Sequence, residues 1–220
     1  MESFRGLALK GKNFRQANLR AADFTGADIR EADFWGADLT GANMSGANAR
    51  LATFQGTILV GANCTEGNFW GVNFKVARLQ DTVFLRCNMS QAEFPGAHCD
   101  RANFSEANLW HAIFRLAVLK DANLGKAEMG SAKMEQSVLD GANFREADLS
   151  SATFRGASLK GADFTAATLR DTGFREAILT RADFREADLK DASFRDAQLE
   201  STVMPDGTIE AGPIDFWPPN

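Results

Sequence analysis

Large apolar residues recur at every fifth position along almost the whole chain. Residues 4, 9, 14 and so on up to 204 are all Phe, Leu, Met, Ile or Cys, apart from Ala49. Two residues before this large position, Ala fills 30 of the 40 places from 7 to 202. Residues separated by one position point to the same face of an extended segment. Each five-residue unit therefore predicts one short extended side with a small and a large residue facing inward.

The two residues that follow the large one predict a corner of the chain. Gly occupies the second of these positions 13 times, and Gly accepts a positive φ without a Cβ clash. A period of 20 separates Phe from Leu: Phe14, Phe34 and Phe54 begin one series, and Leu19 and Leu39 begin the next. The pattern predicts stacked coils of four sides, spaced by about 4.8 Å.

The units "ADLTG", "ANFSE", "ADFRE" and "ADLKD" resemble the A(D/N)LXX consensus of the pentapeptide-repeat proteins, over residues 2 to 204. The resemblance implies an all-β fold, a right-handed quadrilateral parallel β-helix of about ten 20-residue coils. Residues 1–204 would form the β-helix and residues 205–220 a C-terminal cap or tail. In that tail, we expect the Met204–Gly207 turn and the apolar "IDFWPP" segment to cover the last coil.

Polar residues beside the large column predict contacts between coils. Asn recurs with the period of 20 in two series, which predicts ladders of stacked Asn side chains. The first series is Asn43, Asn63, Asn103, Asn123 and Asn143, and the second is Asn48, Asn68, Asn88 and Asn108. Trp35 lies outside the core in the same pattern, where Arg15 of the preceding coil would give a cation–π contact.

Charge and composition narrow the function without identifying it. The net charge of −5 argues against a protein that binds nucleic acid by neutralising phosphates. The first residues lack the apolar core of a signal peptide, and no apolar run is long enough for a membrane span, so we expect a cytoplasmic protein. A convex rod filled with Phe and Leu offers no pocket of convergent polar groups, so we expect no enzymatic activity.

The positions of the His and Cys residues also do not suit a metal site. His98 would point outward where Cys99 points inward, and no CxxC motif is present. Cys64, Cys87 and Cys99 all fall on inward positions, where a reduced thiol acts as a small apolar group. We therefore expect no metal and no other cofactor.

Apolar residues at outward positions are the best indicators of a partner, because such positions are normally polar. Two groups stand out. One combines Trp70 and Trp110, two coils apart in one column, with Leu51 and His111 beside them. The other is a column with Val60 next to it, and its members are Ile58, Val118, Val138 and Ile178. The alternative is that isolated exposed apolar residues are normal and that outward β-branched residues suit a sheet.

The leading interpretation is a scaffold that binds another protein of unknown identity. The main alternative comes from the family resemblance, because some pentapeptide-repeat proteins bind DNA gyrase as DNA mimics and modulate quinolone-type inhibition. This sequence departs from them, since basic residues interrupt its acidity and its tail has no amphipathic helical pattern. A homodimer or end-to-end self-association is a further expectation, because stacked coils leave an unpaired edge.

Overall fold

The chain forms a solenoid in which each five-residue unit has the same backbone shape. The computed structural model describes residues 2–210 and residue 212. Three extended residues are followed by a two-residue turn in every unit. Parallel bridges join the middle residue of each side to the residue 20 positions later, from Ser3–Asp23 to Asp183–Val203. Four units therefore complete one coil, as the period of the apolar columns predicts.

Regular strands are rare, because a corner interrupts the hydrogen-bond ladder after every third residue. Within the described residues only two strands form, β1 (Thr202–Val203) and β2 (Ile209–Glu210), and they pair antiparallel. The predicted turn lies between them, where the Gly207 N–H donates to the Met204 carbonyl at 2.9 Å. The apolar segment 214–219, which was predicted to cover the last coil, lies outside the described residues.

The corners are tight turns that require a left-handed residue. In the first unit, the Leu7 N–H donates to the Phe4 carbonyl at 3.1 Å, which closes a four-residue turn. All 40 second corner positions, from 6 to 201, have a positive φ, as the third residue of a type II turn does. The 13 glycines predicted there meet this demand, but 27 other residues adopt the same conformation.

Asn and Asp before the large residue complete about half of the corners. All 20 of them in the repeat accept a hydrogen bond from the backbone N–H two residues later, at the first corner position. This N–H points away from the ladder, so the side chain supplies the partner that the backbone lacks. The predicted Asn ladder forms in part, with Asn143 donating to Asn123 at 3.0 Å and Asn123 to Asn103 at 3.3 Å.

The interior consists of stacked Phe rings on two opposite sides and aliphatic residues on the other two. Phe34 and Phe54 stack with ring centroids 4.7 Å apart, while Phe24 and Phe34 meet edge to face at 5.7 Å. Both arrangements are favoured for aromatic pairs. Buried hydroxyls are satisfied, since Thr57 donates to the Phe34 carbonyl at 2.8 Å and Thr82 does the same to Leu59.

The three cysteines are free and buried. Cys87 occupies a small inward position and donates its thiol to the Cys64 carbonyl at 2.8 Å, as the buried threonines do. Burial raises the pKa of Cys87 to about 12 and also raises the pKa of Cys64 and Cys99. These thiols therefore stay protonated at neutral pH and behave as small core groups.

Candidate functional site

One corner of the solenoid carries the first group of predicted partner residues. The 20-residue register places Leu51, Trp70, Trp110 and His111 along this edge, which we call the Trp corner. Leu51 is 52% exposed and Trp110 is 49% exposed, while Trp70 and His111 are half-buried. Leu51 has the positive φ that all second corner positions share, here 58°, so its exposure, and not its backbone, sets it apart.

The second predicted group lies on a different part of the surface. Its members are all half-buried in the bridged middle positions of one side, with Val60 at the following corner: Ile58, Val118, Val138 and Ile178. They do not form a continuous stripe, because Arg78 and His98 bridge between Ile58 and Val118. A whole side and a corner separate this group from the Trp corner, so the structure does not bring the two groups together.

The corner between the two groups carries exposed apolar residues that were not among the predicted partner residues. Val76 is 50% exposed and Leu116 is 61% exposed, and both have a positive φ. The signal that would reveal such residues is a bulky apolar side chain at a second corner position, and for Val76 it is followed 20 residues later by Gly96. Leu51 precedes Gly71 in this way, and its Cδ2 is 3.1 Å from where a Gly71 Cβ would lie.

Several neighbours hold Trp110 in place. Its backbone N–H donates to Asn108 Oδ1 at 3.1 Å, and its ring meets the His111 ring edge to face, with centroids 3.7 Å apart. On the next coil, a Cβ at Gly130 would lie 3.1 Å from the Trp110 Cδ1 atom. The indole therefore leans over Gly130, and any side chain there would displace it.

The other two described tryptophans are covered by arginines. Arg15 lies over the Trp35 ring at 4.7 Å, which confirms the predicted cation–π contact, and Arg50 lies over Trp70 at 4.9 Å. In both pairs the arginine is 20 residues earlier in the chain. The corresponding position for Trp110 is Ser90, which has no side chain long enough to cover the ring.

A shallow depression adjoins Trp110 and has an acidic edge. Its lining includes Trp110, Gly130, Ser131, Ser150 and the carboxylates of Glu128 and Asp148. Within the described residues neither carboxylate lies within 4.0 Å of an Arg or Lys nitrogen, although Asp148 accepts hydrogen bonds from Ser150. This acidic edge is therefore available to a cation from outside the chain.

A second depression lies at the corner of Leu116, and its charges are already paired. Arg115 Nε is 3.0 Å from Glu135 Oε2, and Arg155 Nε is 3.4 Å from Glu176 Oε2. Because each cation has its anion within the protein, this depression offers less net charge to a ligand than the one at Trp110. The Trp corner is therefore the better candidate for a binding site.

Two other kinds of site find no counterpart in the described part of the chain. Between residues 2 and 210, no three His, Cys, Asp or Glu side chains group closely enough to hold a metal ion. In the same residues no helix has the length and apolar character needed to cross a membrane.

A solenoid of five-residue units with an inward Ala and Phe or Leu defines the class of protein, and sequence comparison gives the family. The description "Pentapeptide repeats (8 copies)" matches residues 3–36, 17–56, 57–96 and 97–136, and "Pentapeptide repeat region" matches 127–204. The chain belongs to the pentapeptide-repeat family. Neither description names a catalytic activity. No curated protein sequence matches the chain.

Solved structures with this fold resemble the chain along most of its length. QnrB1, a plasmid-mediated fluoroquinolone resistance protein, matches in a trypsin-treated form with a TM-score of 0.65 and 23% identity, over 89% of this chain and 90% of QnrB1. HetL, a pentapeptide-repeat protein involved in heterocyst differentiation regulation in the cyanobacterium Nostoc sp. strain PCC 7120, matches with a TM-score of 0.50 and 24% identity. That match covers 92% of this chain and 94% of HetL. At these identities the similarity shows the fold alone.

Proposed function

We propose that this chain is a non-enzymatic scaffold of the bacterial cytoplasm that binds another protein along its Trp corner. The observation that carries the proposal is that two large apolar side chains, Trp110 and Leu51, are each about half exposed on the same edge. Trp is enriched among the residues that dominate binding energy at protein interfaces. Leu51 is also apolar at a second corner position, where most non-glycine residues of the repeat are polar or charged.

The proposed shape suits this role. We infer a right-handed quadrilateral β-helix of about ten coils, with residues 205–220 as its C-terminal cap or tail. Such a rod presents each corner as a straight edge, along which a partner could contact residues of several coils. The charged side chains of the other corners would keep the rod in solution.

The proposal is tested by capturing partners from the native cell with the tagged protein. We expect a captured protein to be lost when Trp110→Ser or Leu51→Ser is introduced. Trp35→Ser is the matched control, because Trp35 lies on the next corner and is covered by Arg15. The thermal unfolding of each variant is measured in parallel to show that the solenoid is intact. Equal capture by the wild type and the folded Trp110 variant would reject the Trp corner as the binding surface.

The second candidate function is a DNA mimic that binds DNA gyrase or another topoisomerase. The likeness of the fold to a fluoroquinolone resistance protein favours it. The ion pairs weigh against it, because 15 of the 28 acidic residues that the structure describes lie within 4.0 Å of an Arg or Lys nitrogen. A DNA mimic needs unpaired negative charge on its surface. A gyrase supercoiling assay with and without a fluoroquinolone separates the two functions, and no effect of micromolar protein would exclude this candidate.

Self-association is a separate proposal, as a homodimer or as rods joined end to end. Phe4, Leu9 and Phe14 of the first coil are only partly buried, which supports a contact at that end. Light scattering during size-exclusion chromatography measures the mass directly. A strict monomer across a hundredfold range of concentration would refute self-association.

A further inference from the structure

The three described tryptophans share one backbone position but differ in what covers them. Each is the first residue of a corner, and Trp35 and Trp70 each lie under an arginine from the preceding coil. The same cation–π contact, a guanidinium over an indole face, therefore occurs twice in the described residues. Trp110 has Ser90 in place of that arginine, and it is more exposed than the other two.

Gly130 shows that the position of the Trp110 ring is built into the fold. Most glycines of the repeat occupy the second corner position, where the positive φ favours them. Gly130 is at the first corner position and has no positive φ, so the backbone does not require Gly there. Its Cβ would approach the indole Cδ1 to 3.1 Å and Nε1 to 3.5 Å. The absence of a side chain at Gly130 is what allows the indole to lie against the corner.

The carboxylates beside Trp110 also differ from the one beside Trp35. Asp33, which holds the corner of Trp35, is already paired with Arg15 at 2.9 Å. Beside Trp110, Glu128 and Asp148 have no such partner within the described residues, and both side chains are exposed. An uncovered indole next to two unpaired carboxylates is complementary to a cation with a flat face.

We propose that the Trp110 depression receives the guanidinium group of an arginine side chain presented by the partner protein. The guanidinium stacks on the exposed indole, as Arg15 and Arg50 stack on the other two tryptophans. Its N–H groups donate to the carboxylates of Glu128 and Asp148. This inference rests on the proposed function, and it adds the chemistry by which the Trp corner recognises its partner.

Arginine fits the depression better than lysine for two physical reasons. Its planar guanidinium stacks on an aromatic face while its edge donates to carboxylates, whereas the ammonium of lysine is a compact point charge that is more strongly hydrated. Both cations that already cover tryptophans in this chain are arginines, although the protein also contains lysines at first corner positions, such as Lys75 and Lys190.

The first experiment measures binding of a probe peptide to the full chain by NMR. The probe is acetyl-Gly-Arg-Gly-amide, and the control peptide carries citrulline, which has the shape of arginine without its charge. We expect the arginine peptide to shift the indole N–H signal of Trp110 saturably in the millimolar range, and the citrulline peptide to cause no saturable shift. Equal shifts with both peptides, or no shift with either, would overturn the inference.

The second experiment changes the site without removing Trp110. Glu128→Gln with Asp148→Asn removes the two charges but keeps the oxygen that accepts the Ser150 N–H, and we expect about fivefold weaker binding of the arginine peptide. Ser90→Arg restores the arginine that the pattern lacks, and we expect it to cover Trp110 and block the peptide. Ser90→Gln is the control of similar length without charge. Unchanged affinity in both the double variant and Ser90→Arg would contradict the inference.

The outcome also separates this inference from the proposed function. If Trp110→Ser abolishes capture of the cellular partner while Ser90→Arg and Ser90→Gln affect capture equally, the Trp corner binds a protein but not through arginine. If the arginine peptide binds as expected while Trp110→Ser leaves capture unchanged, the depression binds a guanidinium but the partner uses another surface, and both the proposed edge and the partner's arginine are wrong.

Discussion

Single residues in the core compensate for one another where the repeat departs from its usual composition. Phe69 stands in a column that is otherwise aliphatic, directly after Ala49 of the same column. Gly67 stands where most units have Ala, and a Cβ there would lie 2.4 Å from the Phe69 ring and 3.0 Å from the Cys64 carbonyl. The small residues at 49 and 67 therefore make room for one large ring, and the irregular composition is a packing solution.

This compensation predicts the effect of restoring the consensus residue. We expect Gly67→Ala to lower the free energy of unfolding by about 1–3 kcal/mol, because the added methyl group overpacks a buried site. In a Phe69→Leu background the same change is expected to be neutral or stabilising, since the ring atom that blocks it is gone. Urea unfolding of the four variants in a double-mutant cycle measures the coupling. Additive effects would contradict the packing explanation.

Backbone strain at exposed corner residues gives a second prediction at this scale. Val76 has a φ of 50°, although a β-branched residue is among the least suited to this conformation. We expect Val76→Gly to raise the free energy of unfolding by about 1 kcal/mol, because relief of strain outweighs the added flexibility of Gly. Thermal unfolding provides the measurement. Val118→Gly is the control with the opposite sign, since Val118 is bridged on both sides and has no positive φ. Destabilisation by both changes would refute the prediction.

At the scale of the five-residue element, an Asn or Asp side chain supports the corner in the 20 units that have one before the large residue. Asp183 accepts the backbone N–H of Arg185 at 3.0 Å, and its carboxylate also pairs with the Arg185 side chain. The side-chain hydrogen bond from Arg185 is the largest cause that lowers the pKa of Asp183 below its usual 3.8. The Asp183 carboxylate therefore both accepts the backbone N–H of the corner and forms an ion pair.

The lowered pKa fixes the sign of the pH dependence. A carboxyl group with a lower pKa in the folded state stabilises the protein above its unfolded pKa of about 3.9, and this contribution is lost as the pH falls through the folded value. We expect the melting temperature to be nearly constant between about pH 7 and 5 and to fall below about pH 4. Calorimetry at pH 7 and pH 3 measures the difference.

Two variants of Asp183 separate the corner from the charge. Asp183→Asn keeps the Oδ1 acceptor and is expected to reduce the loss of stability at low pH, with a small effect at pH 7. Asp183→Ala leaves the corner N–H without its partner and is expected to destabilise by about 1 kcal/mol at both pH values. If the two variants behave alike at pH 7, the side chain does not close the corner.

The elements also show why the sequence predicts the fold more completely than the site. The 17 Phe of the repeat all occupy the large position, so the columns of Phe and Leu state the register directly. The exposure of Trp110 depends instead on Gly130 and Ser90, which lie one coil away on either side. The column of Ile58 was predicted as an outward apolar surface, and in the structure its members are half-buried by the bridged coils next to them. The position of a residue in the repeat thus predicts whether its side chain points inward or outward. How far an outward side chain is exposed depends on its neighbours in the adjacent coils.

At the scale of the whole molecule, the two ends differ, and at the N-terminal end the first two coils carry opposite charge. Residues 1–20 contain five basic residues and one acidic residue, and residues 21–40 contain one basic and five acidic. Four ion pairs connect them, at Arg5–Asp23, Lys10–Glu31, Arg15–Asp33 and Arg20–Asp38. Apolar burial is weaker here, since Phe4, Leu9 and Phe14 are only partly buried. The far end of the described solenoid is joined differently, by the antiparallel pairing of β1 and β2.

This asymmetry predicts that salt loosens the first coil in preference to the rest. Each exposed ion pair contributes up to about 1 kcal/mol, and salt near 1 M screens such pairs strongly. The Phe14 N–H donates to the Asp33 carbonyl at 2.7 Å, so its hydrogen exchange reports whether the first coil stays on the second. Between 20 mM and 1 M NaCl we expect this exchange to accelerate by about tenfold, as a loss of 1.4 kcal/mol gives.

The Phe114 N–H, bonded to Lys133 in the middle of the solenoid, is the control and should exchange slowly in both conditions. In Arg15→Gln with Arg20→Gln, exchange at Phe14 should already be fast at low salt. Equal salt sensitivity at Phe14 and Phe114 would show that apolar stacking alone holds the first coil.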